Sequence, residues 1–402
     1  MRRLAEAWGW GGVASAVLML MWGVPGCAQG VDGAGIPMTT MERFDTEAWW
    51  PTMPTVALSA FVGSKSCVQC HAAEAGHQSL TPMQRAAEPA GDANFLKAKR
   101  STSFSSPPFT YSMVSTAAGL DYSVSDGAHR ISRRLDWVMG AGELGRTFLY
   151  QVDGRWYQSE ATFYTDQSRL DTTTGLSRAR GADLASALGE GLSPEDARRC
   201  FSCHTVHSTT TSGFNPLHAE AGLGCEACHG PGREHVNRMN QESKGAGGEA
   251  HGVGAVSAGV FNPAKLSPVD ANDFCGACHR SFADAGPSVG PGANVAAVRF
   301  QPYRLEESKC WRKTLDARLT CVACHDPHQP LNREAASYDR HCLGCHTSGG
   351  AGAAGEDAGK SCPKASSGCV TCHMPKVRVA SMHGDFTDHF IRIVRADAAF
   401  PR

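Results

Sequence analysis

The chain has 402 residues, an ordinary hydrophobic content of 42% and a formal net charge of −1. That balance gives no case for nucleic acid or an anionic membrane surface as a partner. The length suits one large domain or two to three small ones, and the unusual feature is a count of seventeen cysteines.

Residues 1–27 read as an export signal. Arg2 and Arg3 precede a mostly apolar run from Val13 to Val24, and Val24-Pro25-Gly26-Cys27 follows. The run is shorter than a membrane span and suits a signal-peptide core. Its last four residues resemble a bacterial lipoprotein box, with Pro25 an unusual member. Either lipid anchors the chain through Cys27, or cleavage occurs nearby and Cys27 is lost or left free. Both routes place the mature chain in the periplasm or at the outer membrane, where cysteine pairs can oxidise. Residues 28–60 read as an irregular N-terminal arm.

The next segment, 61–107, opens on Cys67-Val-Gln-Cys70-His71. This C-x-x-C-H pattern occurs seven times, at Cys67/Cys70/His71, Cys200/Cys203/His204, Cys225/Cys228/His229, Cys275/Cys278/His279, Cys321/Cys324/His325, Cys342/Cys345/His346 and Cys369/Cys372/His373. Two cysteines one helical turn apart can form thioether bonds to the two vinyl groups of a c-type haem, and the adjacent histidine then reaches the iron. Zinc ribbons also use C-x-x-C, but in pairs, and they have no reason to place His after every pair. The sequence therefore predicts seven covalently attached haem c groups. Cys27, Cys310 and Cys362 remain. With Cys27 lipidated, the last two are expected either to form a disulfide or to stay as isolated buried thiols.

Residues 108–190 contain alternating, aromatic-rich stretches. Thr147–Val152, the Asp153-Gly154 turn and Arg155–Ala161 predict a type I′ hairpin, and Asp126-Gly127 suggests another. These predict a small antiparallel β insertion. From Cys200 to His373, six motifs fall at roughly 29 residues per haem, too dense for a conventional core. Residues 191–395 are thus expected to be a six-haem cytochrome region. The predicted fold is mainly α with much irregular structure, its short helices and loops wrapped on a multihaem array. Ser193-Pro194 and Ser267-Pro268 mark helix starts that run into Cys200 and Cys275. Gly/Ala-rich stretches at 242–258 and 348–360 read as surface loops. Arg199, Arg233, Arg280 and Arg304 are candidate partners for haem propionates, or plain surface charges.

Seventeen histidines less seven proximal ones leave ten. His235 follows His229 too closely to reach the far face of the same haem, so it is either a surface residue or the distal ligand of an adjacent haem. The same argument covers His207 and His328. Candidate distal ligands are His235, His328, His389, His218, His207, His77 and His383, with Met83 an alternative to His77. His129, His251 and His341 are weaker candidates.

The stretches FVGSKSCVQCH, GLGCEACHGPGREHV, FNPAKLSPVDANDFCGACH, LTCVACHDPH and CVTCHMPK with FTDHFIRI resemble bacterial multihaem cytochromes of the cytochrome c-554 type. The C-terminal part is also similar to pentahaem nitrite reductases, which implies that His389 ligates a neighbouring haem. The resemblance implies an exported electron-transfer protein with closely packed, largely bis-histidine haems. Where relatives often carry a distal histidine, this chain has Leu144. Two functions follow. One is an electron conduit between redox partners, such as cytochromes, a quinol oxidase module or a terminal reductase, in which no residue is assigned to catalysis. The other is a reductase or oxidase of a small nitrogen or sulfur species at one open haem. The absence of C-x-x-C-K favours a carrier over a catalyst.

Overall fold

The computed structural model describes residues 56–395, apart from 97–99, 177–182, 211–212, 244–255, 258, 290–294 and 347–361. The export signal, Cys27, most of the N-terminal arm, His251, the stretch 348–360 and most of 242–258 lie outside the described residues.

Strands take a far larger share than a mainly α fold allows, and that expectation is corrected. They begin at β1 (Ala87–Pro89) and continue through β2 (Ser101–Ser106), β3 (Phe109–Thr116), β4 (Gly119–Ser125), β5 (Arg130–Arg134) and β6 (Trp137–Met139). Next come β7 (Gly145–Val152), β8 (Arg155–Ser159), β9 (Ala161–Tyr164), β10 (Arg169–Thr172) and β11 (Gly189–Gly191). One antiparallel sheet has the order β2-β3-β4-β5. A second, larger one runs β1-β6-β7-β8-β11, with β9 beside β7 and β10 beside β9, and four two-stranded sheets also occur among the described residues. Two-residue periodicity explains how the two larger sheets pack. Phe109, Tyr111 and Met113 on β3 and Leu120, Tyr122 and Val124 on β4 are buried with Phe148 and Tyr150 of β7 and Phe163 of β9, so the sheets share one apolar core. The sequence reading weighed motif density in the C-terminal half; the strands carry no motifs, yet they build the largest apolar core.

The expected hairpin is present. Val152 pairs with Arg155 across a two-residue turn, and Asp153 and Gly154 take φ of 50° and 78°, as a type I′ turn requires. The Asp126-Gly127 hairpin also forms, joining β4 to β5 between paired Ser125 and Arg130. At β11, a Cβ on Gly189 would lie 2.3 Å from the Gln158 carbonyl oxygen, so only glycine lets this short strand close on β8.

Helices present the motifs. Helices that carry a motif or pack beside one include α1 (Ser64–Val68), α2 (Pro194–His204), α3 (Cys225–His229), α4 (Arg233–Glu242), α5 (Pro268–His279), α6 (Gln301–Glu306), α7 (Lys309–Thr314), α8 (Cys321–Cys324), α9 (Asp339–Leu343) and α10 (Cys369–His373). Ser193 caps α2 by accepting from Asp196 N, and Ser267 caps α5 by accepting from Asp270 N, at the two starts read from sequence. The outer face of the larger sheet receives α2. Trp137, Met139, Leu149 and Trp156 bury Ala197 and Phe201 there. The sandwich is therefore the platform on which the second motif stands.

Candidate functional site

Within each motif the backbone supplies the required turn. His71 N donates to Cys67 O, His325 N to Cys321 O and His346 N to Cys342 O, at 2.9–3.0 Å. One helical turn puts both cysteines and the histidine on one side of the peptide. Residues of all seven motifs line a continuous, mostly apolar cavity of 2630 Å³, several times the roughly 300–1,000 Å³ of an ordinary ligand site. The second motif contributes only Ser202 to this wall. Met83 and Leu144 also line it.

Motifs distant in sequence touch through their cysteines. The Cys67 side chain lies beside Cys225, Cys203 beside Cys278, Cys275 beside Cys321 and Cys342 beside Cys369. These contacts join the first motif to the third, the second to the fourth, the fourth to the fifth and the sixth to the seventh.

Cys372 stands apart from the rest of its motif. Cys369, Val370, Thr371 and His373 of the seventh motif all line the cavity, whereas Cys372 does not. Its thiol is exposed, and its Sγ lies 3.8 Å from Thr371 Oγ1. The reason is the anchoring of α10 at its first turn. Asp339 accepts from Gly368 N at 2.7 Å and from Cys369 N at 2.8 Å, which holds Cys369 inward beside Cys342 and leaves the last turn at the rim. Cys70 of the first motif is exposed in the same way. At these two motifs the first cysteine is part of the wall and the second stands outside it.

Several of these imidazoles are held neutral by burial. Burial lowers the pKa of His204, His229, His279 and His325, and burial, helped by the charge of His325, brings His389 down to about 4. Nδ1–H donates to a backbone carbonyl in four histidines: His204 to Ala86 (2.8 Å), His229 to Phe261 (2.8 Å), His373 to Arg392 (2.9 Å) and His389 to Thr387 (3.0 Å). This fixes the tautomer and leaves Nε2 with its lone pair, the arrangement usual for a metal-bound imidazole.

Three proximal rings face a second histidine. Ring centres are 6.4 Å apart for His71 and His235, 6.0 Å for His229 and His328, and 6.2 Å for His325 and His389. Two imidazoles on opposite faces of one metal ion need about 6 Å, from two bonds of about 2 Å and about 1 Å from each nitrogen to its ring centre. The cysteines, the tautomers and this spacing fit haem c, with His71, His229 and His325 as proximal groups.

The other candidates sit differently. His207 turns to Glu226, 3.4 Å away, and packs on Phe61 with ring centres at 4.1 Å. His383 has both nitrogens engaged, Nδ1 with Gln167 at 2.6 Å and Nε2 with Asp171 at 3.2 Å, and its ring lies on Tyr164. These contacts set both rings against protein partners, and neither faces a proximal histidine among the described residues. His77 is exposed and bonds Gln329 through Nδ1. His218 is exposed at the end of a 3₁₀ turn, Pro216–His218. Cys310 and Cys362 are free thiols, so the disulfide expectation is corrected. Half-buried Cys310 lies near Cys345, and burial raises its pKa, whereas Cys362 is exposed. Arg304 is buried against Asp388 and is no plain surface charge.

Sequence reading missed Glu226, an inner residue of the third motif. It is 4% exposed and accepts from the backbone N–H groups of Val62, Gly63 and Gly232 at 2.7–3.3 Å. It thereby ties the segment entering the first motif to the third motif and to the start of α4, which carries His235. The only signal was a lone carboxylate among apolar motif residues. Asn272 on α5 was missed as well. Its Nδ2 donates to Glu306 at 2.6 Å, and its Oδ1 lies 3.2 Å from Cys321 Sγ.

Glu306 gives a test by pH. Burial raises its carboxyl from 4.5 to about 7, the Asn272 bond only partly opposing this. A raised carboxyl pKa means that the folded state binds the extra proton, so stability falls as pH rises from about 4.5 to about 7 and is level above that. Glu306→Gln keeps the accepting Oε1 and removes the charge. It is expected to stabilise the protein at pH 8 by on the order of 1–3 kcal/mol and to change little at pH 4, as read by urea unfolding at both pH values. An equal effect at the two values would refute the assignment.

Comparison with known proteins agrees with this chemistry. Residues 157–230 match the family described as "Cytochrome c554 and c-prime". Over 214 residues the chain is 26% identical to the "Multiheme cytochrome MtrA" of Shewanella baltica (strain OS185), covering 48% of this chain and 58% of that protein. The chain thus spans less than two thirds of the curated relative's length. The crystal structure of "Outer Cell Wall Cytochrome OcwA" aligns over 83% of this chain and 80% of that one, with 14% identity and a TM-score of 0.43. Among the described residues no helix is long and apolar enough to cross a membrane.

Proposed function

We propose that this chain, a multihaem c-type cytochrome that binds haem c, is an exported seven-haem electron conduit. Haem c, bound at the C-x-x-C-H motifs, supplies iron that alternates between two oxidation states. The chain's own residues hold and order the irons. Paired cysteines anchor each site, Cys70 and Cys372 exposed and the others half-buried. Carbonyl-bonded imidazoles fix the ligand orientation, and the mostly apolar wall of the 2630 Å³ cavity would surround the anchored groups.

The observation that carries this reading is the set of three histidine pairs. His235 follows the third motif and meets His71 of the first. His328 follows the fifth and meets His229 of the third. His389 follows the seventh and meets His325 of the fifth. Each distal residue therefore binds its own peptide to the preceding odd-numbered site, giving a series 1–3–5–7. Cysteine contacts attach the second motif to the fourth, the fourth to the fifth and the sixth to the seventh. Redox proteins are its partners in general; a cytochrome or quinol oxidase module would feed the series, and a terminal reductase would draw from it.

The test uses the mature, haem-loaded chain. Mass spectrometry and pyridine haemochrome absorbance are expected to count seven covalent haems. On an electrode, the adsorbed protein is expected to give one broad, continuous reduction wave in which every haem takes part. A count well below seven, or a haem fraction that never exchanges electrons with the rest, would end the proposal.

A further inference from the structure

The segment Thr387–Arg392 touches two motifs. His389 faces His325 of the fifth motif at 6.2 Å. Arg392 O accepts from His373 Nδ1 of the seventh at 2.9 Å, and Arg392 N donates back to His373 O at 3.2 Å. Between these contacts lies Asp388, whose side chain is 0% exposed. Arg304 of α6 grips it with two bonds, Nε to Oδ1 at 2.8 Å and Nη2 to Oδ2 at 2.9 Å. Arg392 Nη1 donates to Oδ2 at 2.7 Å, and Phe390 N to Oδ1 at 3.1 Å. Both guanidiniums also lie over the Phe390 ring, at 5.1 and 4.9 Å. A second tie comes from Ser308, whose Oγ accepts from Ile391 N at 2.8 Å and donates to His389 O at 3.4 Å.

A buried ion pair is a poor source of stability, because desolvation offsets its attraction. Its distinguishing property is geometric. A guanidinium fork on a carboxylate fixes direction as well as distance, and here the fork fixes the backbone on both sides of one residue. We propose that Asp388, clamped by Arg304 and Arg392, is a positioning residue for two haem sites at once. It aims His389 at the iron held by His325, and it holds the Arg392 carbonyl that orients the proximal ring of His373. The inference rests on the reading of His389 as an axial ligand.

The experiment compares three variants of the haem-loaded chain by EPR of the oxidised form and by potentiometric titration. His389→Ala is expected to produce a high-spin signal equal to one haem. Asp388→Asn, which keeps the side-chain shape, is expected to produce a high-spin fraction at that same haem. It is also expected to change the reduction equilibrium of a second haem by tenfold or more, about 59 mV for a one-electron couple. Arg304→Lys keeps the charge but loses the fork, and it should move the same two haems by less; it serves also if Asp388→Asn fails to fold. If His389→Ala leaves every iron low-spin, the axial-ligand reading itself falls. If His389→Ala acts as expected while Asp388→Asn and Arg304→Lys lower only the melting temperature, or disturb one haem alone, the positioning role is refuted and the conduit reading stands.

Discussion

Phe201→Ala is expected to destabilise the protein by about 3–5 kcal/mol, measured by urea unfolding followed through tryptophan fluorescence. Phe201 stands between Cys200 and Cys203 and is 0% exposed. Trp137 meets its ring edge-on at 5.4 Å, Trp156 at 5.1 Å, and Phe214 stacks on it at 5.2 Å. Truncation removes both the transfer energy of the ring and the aromatic contacts around it, and the rigid sheet face beneath cannot collapse into the space. The same change loosens α2 on the sandwich, so incomplete haem attachment at the second motif is expected beside the lost stability. Phe201→Leu should cost clearly less. A loss below about 1 kcal/mol for the alanine variant would mean that the second motif does not stand on the sheet.

His328→Ala is expected to have the largest effect on electron flow. His328 faces His229 with rings only 7° from parallel, in the middle of the 1–3–5–7 series. Axial ligand identity tunes haem potentials across about 0.8 V, so losing one imidazole should shift this site by on the order of 100 mV. At about 59 mV per tenfold for one electron, that is roughly 50-fold in the equilibrium with each neighbour. Film voltammetry should then split the continuous wave into two, and EPR should gain one high-spin haem. An unsplit wave and an unchanged spectrum in the His328 variant would break the series at its centre.

Both predictions depend on contacts between parts of the chain that lie far apart in sequence, and that separation governs what could be read in advance. The seven attachment motifs were legible because thioether chemistry works within five residues and one helical turn. The caps at Ser193 and Ser267 and the turn at Asp153-Gly154 were legible for the same reason: each is a contact spanning two or three residues. Which motif cysteines would be enclosed was not legible. Cys369 and Cys372 are equivalent in the pattern, yet Asp339, about 30 residues upstream, holds the first inward and leaves the second exposed. The sandwich was only half seen. Alternation marked the 147–161 hairpin, but β1 and β11 are three-residue strands whose partners lie about 30 to 50 residues away, too short to carry a period of their own.

The histidines divide in the same way. Sequence by itself determined that His235 and His328 could not serve their own motifs, since so short a peptide cannot pass around a porphyrin. It could not determine where each ring would go. His207 carried the same argument as His328, yet it turns to Glu226, because that carboxylate is buried beside it and already held by three backbone N–H groups. His383 is drawn instead to Gln167 and Asp171 on the sandwich. Covalent haem chemistry was thus written locally, in residue type and spacing. Which imidazole meets which, and which carboxylate holds the chain that bears it, was decided by tertiary packing, because a buried polar group takes whatever partner the fold brings within hydrogen-bonding reach.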